Sequence, residues 1–139
     1  MEVRRFRPAG GPNLARKKSS TLTEVELRLM NVLWQKGAAT VHQVLAALPA
    51  KAQPPAYTSV LTIIRVLEKK GYVKHVKDGR AHLYMPLIGK KEATRFEIKN
   101  LVSRFFKNSH EMLVLNILED ESIDAEELAR LKRLLEGKQ

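Results

Sequence analysis

Apolar side chains recur at helical spacing from residue 24 onward, and capping signals cut them into separate helices. Leu27, Met30, Leu33 and Trp34 repeat with a period near 3.6, and Val25, Leu29 and Val32 widen the stripe. Thr23 and Glu26 form the T-x-x-E pattern of a capping box, and Gly37 stops the helix. A second helix is predicted from Thr40, with Gln43 as its box partner, Val41, Val44, Leu45 and Leu48 as its apolar face, and Pro49 as its end. Residues 49–56 (PAKAQPPA) hold three prolines that lack N–H donors, so no regular element is predicted there. The spacing predicts a third helix over Tyr57–Lys70, ended by Gly71. Its buried stripe is Val60, Ile63, Ile64 and Leu67, while Thr58, Thr62, Arg65 and Lys69 gather at the opposite pole, and none of these four is acidic.

The period then drops to two. Tyr72-Val-Lys-His-Val-Lys77 and Arg80-Ala-His-Leu-Tyr-Met85 flank Asp78-Gly79, which predicts a β-hairpin. A two-residue turn at Asp78-Gly79 pairs Lys77 with Arg80, Val76 with Ala81 and His75 with His82. Tyr72, Val76, Ala81, Leu83 and Met85 are then expected on the core face, with His75, Lys77, Arg80 and His82 on the other. The remainder reads as helices. One runs from about Lys90 to Asn108; a second starts from a cap at Asn108 with Glu111; a third starts at Asp124 with Glu127 and carries Leu128, Leu131, Leu134 and Leu135. These last helices are too apolar to stand alone, and a second copy of the same segment is the expected cover.

Composition and charge sharpen the picture. The 139 residues suit one domain plus an association segment. Lys and Arg number 25 against 15 Asp and Glu, a net +10 that points to a polyanionic partner. Residues 1–20 carry six basic groups and one acid, residues 21–89 carry nine and four, and residues 90–139 carry ten of each. The excess lies in the first two thirds, and the neutral last third suits self-association. The expected organisation is a basic arm over 1–20, a winged helix-turn-helix domain over 21–88 and a helical dimerisation region over 89–139. The arm is either a mobile basic extension or a dispensable leader. No apolar run is long enough to span a membrane, and the charged N-terminus lacks the apolar segment of a secretory signal. Cysteine is absent, which excludes thiolate metal sites and a cysteine nucleophile and makes a cytoplasmic location the default expectation.

Helix, helix, helix and basic hairpin is the winged helix-turn-helix plan. One helix fits a DNA major groove. Tyr57, Thr58, Ser59, Thr62 and Arg65 are the expected groove contacts; His42, Lys69, Lys77, Arg80 and His82 are the expected backbone or wing contacts. Tyr57 and Ser59 could instead only pack and cap the third helix, and His42 could be idle surface. His75 and His82 form a cross-strand pair without a third ligand, so neither a metal nor a cofactor is expected. Trp34 is expected in the core. No Gly-rich phosphate loop, H-E-x-x-H or G-x-S-x-G motif supports catalysis or a small-molecule substrate. The dimer contacts are expected from Phe96, Leu101, Val102, Phe105, Met112, Leu115, Leu118, Leu128, Leu131 and Leu135. The rival readings are a non-specific architectural DNA-binding protein and a winged helix that pairs with protein.

Five stretches, LTEVELRLMNVLW (22–34), TVHQVLAAL (40–48), AYTSVLTIIRVLEKKGYV (56–73), GRAHLYMP (79–86) and LVSRFF…LVLNILE (101–119), resemble the penicillinase-repressor family of winged-helix regulators, the BlaI/MecI type. AYTSVLT followed by LEKKG is the most specific of them. The resemblance implies a homodimeric repressor on a palindromic operator before resistance or stress genes. It also implies release by proteolysis in the dimerisation helices, triggered by a membrane sensor-protease that detects β-lactams. The cut implied by the family falls at an Asn–Phe bond, and the matching pair here is Asn116 and Ile117. The Cys-x-Cys pairs of the copper-responsive branch have no counterpart.

Overall fold

The computed structural model describes residues 21–49 and 55–137. The readings of residues 1–20 as an arm and of 50–54 as irregular fall outside the described residues. The described chain holds six helices and a two-stranded antiparallel hairpin. They are α1 (Glu24–Lys36), α2 (Val41–Ala47), α3 (Tyr57–Lys70), β1 (Val73–Asp78), β2 (Ala81–Pro86), α4 (Lys90–Phe106), α5 (His110–Leu118) and α6 (Ala125–Glu136). None of these helices is long and apolar enough to cross a membrane.

The helix starts follow from side-chain chemistry. Thr23 Oγ1 accepts from the Glu26 N–H at 3.1 Å while Glu26 Oε1 accepts from the Thr23 N–H at 2.9 Å. Thr40 and Gln43 repeat the exchange on α2 at 3.2 and 2.8 Å. Such caps are worth about 1 kcal/mol each. Asp124 accepts from the Glu127 N–H to open α6. Before α5 the outcome differs from the expected Asn108 cap: Ser109 is the cap, accepting from the Met112 N–H at 3.1 Å. Asn108 instead ends α4. It sits at φ +66° after Lys107 at +47°, and its N–H reaches back to the Val102 carbonyl. Asn tolerates this left-handed conformation better than most residues.

Two compact units divide the chain inside α4, the first ending at Glu97 and the second beginning at Ile98. The first therefore runs nine residues past the boundary expected after residue 88. The reason is packing: Ala93 and Phe96 join the core of the first unit, and Glu97 Oε2 accepts from the Leu22 N–H at 2.8 Å. That core is Leu29, Met30 and Leu33 of α1, Val41 and Val44 of α2, Val60, Ile64 and Leu67 of α3, and Tyr72, Val73, Tyr84 and Ile88. Trp34 packs half-buried against it and donates Nε1–H to the Ile88 carbonyl at 2.8 Å, whereas Val25 and Leu27 are exposed. Glu26 is buried, and its charge is met by Lys70 Nζ at 2.7 Å; Lys70 also donates to the Thr21 carbonyl. This pairing ties the start of α1 to the end of α3, and a buried carboxylate without it would be costly.

The hairpin is present with a different register and a different core face. Its loop is Gly79-Arg80, so Asp78 pairs with Ala81, Lys77 with His82, Val76 with Leu83 and His75 with Tyr84. Gly79 has φ +66°, and Arg80 does not share a positive φ, as a type II′ turn with glycine first requires. Lys77 and Arg80 therefore do not oppose each other. Val73 and Tyr84 are the buried side chains of the strands, while Val76 and Ala81 are exposed and Leu83 and Met85 half-buried. Only the base of the wing meets the core. There Ala39 and Tyr84 exchange two backbone hydrogen bonds of 2.9 and 2.8 Å.

Ile64 is fully buried on α3. Ile64→Ala is expected to lower unfolding free energy by about 2–5 kcal/mol, through lost transfer energy and the cavity left behind. Equilibrium urea unfolding measures it, and a change below about 1 kcal/mol would contradict this core assignment.

Candidate nucleic-acid interface

α3 presents its polar row as the spacing predicts. Thr58, Thr62, Arg65 and Lys69 are all exposed on the side away from Val60, Ile64 and Leu67. Between described residues, Arg65, Lys69, Lys77 and Arg80 make no ion pair. Their charge is free to meet a polyanion. The N-terminus of α3 has no side-chain cap and no acid in its first turn, so its leading N–H groups favour an anion. Ser59 does not cap the helix, because Ala56 holds that position, and its hydroxyl is exposed. Thr62 is different. Its hydroxyl donates to the Thr58 carbonyl at 2.9 Å, which leaves it an acceptor rather than a free donor. Lys70, beside Lys69, is held by Glu26 and Thr21 and turns its charge to structure.

The wing and the first turn of α3 enclose a cleft of about 230 Å³. It brings together four of the expected contact residues, His42, Tyr57, Arg80 and His82. The rings of His42 and Tyr57 lie 4.5 Å apart at 38°, so Tyr57 packs and remains 38% exposed as well. Lys77 and Arg80 are exposed at the wing tip. Thr58, Ser59, Thr62, Arg65 and Lys69 lie on α3 outside the cleft lining, along the exposed face of the helix.

Behind His82 lies a ring cluster. His75 and His82 stack at 4.3 Å and 14°, and Tyr84 stands 5.3 Å from His75. His75 Nδ1 meets Glu68 Oε2 at 2.7 Å. The two imidazoles lie face to face instead of converging on one point, and among the described residues no group of three ligands gathers for a metal. Burial raises the Tyr84 phenol above its ordinary value, with Glu68 and Tyr57 adding to the rise and Arg65 opposing it.

A family model described as "Penicillinase repressor" matches residues 22–137. The chain belongs to the penicillinase repressor family. The penicillinase repressor of Bacillus licheniformis is 28% identical over 120 residues, covering 86% of this chain and 93% of that one. The methicillin resistance regulatory protein MecI of Staphylococcus aureus (strain N315) is 26% identical over 121 residues, covering 87% and 98%. A solution structure of Bacillus licheniformis BlaI in its monomeric form, in complex with the blaP half-operator, is similar to 52% of this chain and 87% of that one. It shares 28% identity, with a TM-score of 0.44.

In this penicillinase repressor family member the second unit carries most of the exposed large apolar side chains among the described residues. Leu101, Met112, Leu115 and Leu135 are exposed, as are Ile98, Ile117, Phe105 (65%) and Leu134 (70%). Leu118, Leu128 and Leu131 are half-buried. Of the other expected dimer contacts, Phe96 packs half-buried against the first unit's core, and Val102 is buried, 2% exposed. Asn116 and Ile117 are exposed on α5, and Asn116 Nδ2 donates to the Met112 carbonyl at 2.9 Å.

Thr40, Leu61 and Tyr84 also line the cleft, and Glu68 and His75 stand behind it; the sequence pattern did not place them there. The His82-Leu-Tyr84 alternation was the available signal, since it puts Tyr84 on the face of His82 and His75. The raised phenol gives a pH prediction. A group whose folded value is raised contributes stability that is complete below its unfolded value, about 10, and lost as pH rises through the folded value. Tyr84→Phe keeps the ring and removes that loss. Its thermal midpoint should fall less between pH 9 and 11 than that of the parent chain, and parallel slopes would refute the assignment.

Proposed function

We propose that the chain acts as a homodimer on a palindromic operator, with α3 in the major groove, the wing on the flanking backbone, and release by proteolysis between Asn116 and Ile117. That it is a DNA-binding transcriptional repressor follows from its family. The observation that carries the geometry is the exposed, acid-free row Thr58, Thr62, Arg65 and Lys69 beside a basic wing. Arg65 would read guanine or phosphate, Thr58 and Ser59 would donate to base edges or phosphates, and Lys77 and Arg80 would hold the backbone.

The dimer reading is supported by the apolar side chains of α4 to α6, among them Leu101, Phe105, Met112, Leu115 and Leu135, together with the neutral charge of residues 90–139. Two half-sites held by one dimer gain roughly 10²–10⁴ in avidity. A cut near Asn116 would remove that gain without touching α3. The bond lies within the last turn of α5, so a protease would have to unwind that turn to obtain an extended substrate. A membrane sensor-protease is the proposed partner that makes the cut.

Selection of bound sequences from a random duplex pool, at about 150 mM salt, tests the reading. An inverted repeat with half-sites about one or more helical turns apart is expected. Salt-sensitive binding without an enriched motif would sink it and leave the architectural alternative. Arg65→Ala with Thr62→Ala should relax the selected motif at its contacted positions, each good base contact being worth about 1–3 kcal/mol, while leaving affinity for random duplex within a few-fold. Phe105→Glu should shift the chain toward monomer in sedimentation equilibrium and reduce the selected inverted repeat to a single half-site; an unchanged dimer would remove Phe105 from the interface.

A further inference from the structure

We infer that the cleft between α2, α3 and the wing seats a DNA phosphodiester and takes up a proton on the stacked His75–His82 pair when filled, so that DNA binding tightens as pH falls. The inference rests on the DNA-binding reading above and adds a link between occupancy and protonation. The cleft, about 230 Å³, holds a phosphate group but lies below the usual range of about 300–1,000 Å³ for organic ligands. Thr40, His42, Arg80 and His82 supply donors along its wall, and no carboxylate lines it.

The charges around the pair set the direction. Glu68 on α3 contacts His75, and Arg65 on α3 acts on Tyr84 behind it. Lys77 is the cross-strand partner of His82, Arg80 sits in the adjoining turn, and His42 and Tyr57 stand in the cleft wall. The charged groups nearest His82 on the wing are the cations Lys77 and Arg80, with Asp78 opposite Ala81 and Glu68 reached through His75. A proton on both stacked rings would set two like charges 4.3 Å apart. Glu68 meets the pair at His75 only, and the cations Lys77 and Arg80 flank its His82 end. A phosphodiester in the cleft supplies the missing negative charge beside His82. Binding then draws a proton, and affinity rises by up to about tenfold per pH unit for each proton taken up.

The full chain, a random-sequence duplex and the duplex enriched in the selection above provide the test. Dissociation constants are read by fluorescence anisotropy at pH 8 and pH 6 at fixed salt. Calorimetry in two buffers of different ionisation enthalpy counts the protons. The parent chain is expected to bind both duplexes about three- to tenfold more tightly per pH unit, with a fraction of a proton or more taken up per chain. His75→Gln with His82→Gln should abolish the uptake and flatten the pH slope, and His110→Gln on α5 should leave both unchanged. His82→Lys should bind tightly without pH dependence, and it decides the matter if the double variant loses its circular dichroism. A parent chain that takes up no proton overturns the inference. So does a double variant that keeps the parent slope, or a slope lost only in His42→Gln. An enriched duplex that is not preferred over random sequence at either pH would instead defeat the repressor reading, and the proton count on random duplex would still decide this one.

Discussion

The backbone exchange between Ala39 and Tyr84 decides where everything at the interface stands. A two-stranded hairpin is marginal by itself. Here β2 is held at one residue by paired hydrogen bonds to the α1–α2 connection, and the Tyr84 ring is buried beneath it. The Tyr72 carbonyl accepts from the Leu87 N–H at 2.7 Å and closes the base from the other side. Alternation along β2 then places His82 on the same face as Tyr84, toward the first turn of α3. Loss of the Tyr84 ring would cost packing, and loss of the bridge would leave the wing without a fixed angle. The cleft exists because a buried aromatic and an edge hydrogen-bond pair act at one position.

The helices of the first unit were legible because their signals are local. Capping boxes at Thr23 and Thr40, and glycines at positive φ at 37 and 71, mark boundaries through the backbone groups they satisfy or free. The polar row of α3 was legible because a helix stripe depends only on its own spacing. The wing was less so. Asp78-Gly79 advertises a type I′ turn, but Gly79-Arg80 as type II′ needs only the one glycine, and both readings share it. Counting aliphatic residues then favoured the face of Val76, Ala81, Leu83 and Met85. Burial follows contact with the body and not the tally, and the body fully covers only Val73 and Tyr84 of the strand residues.

The second unit shows the same limit from another side. Periodicity reports that a face is apolar without saying what covers it. Phe96 and Leu101 read alike in sequence, yet the first packs half-buried against the α1–α3 core and the second is exposed. Asn108 reads as a helix start because Asn caps helices well, but it also tolerates the left-handed conformation that ends them. Ser109 next to it is left to cap α5.

The arrangement of α3 separates affinity from reading. Glu68 is the one acid on the helix, and it lies a quarter-turn from the polar row, engaged with His75. The row therefore keeps an undiluted positive field, which supplies non-specific attraction along any duplex. Discrimination has to come from shorter, directional groups. Thr62 has committed its proton to the Thr58 carbonyl, so it offers an acceptor oxygen and a methyl group, a combination suited to a base amino group or a thymine methyl. Thr58 and Ser59 keep exposed hydroxyls near the uncapped helix start. Arg65, about two turns further along and unpaired among the described residues, has the reach and the fork geometry for guanine. On the proposed docking, base preference therefore concentrates on Thr58, Ser59, Thr62 and Arg65, and Lys69 with the wing cations sets how firmly, more than where, the protein binds.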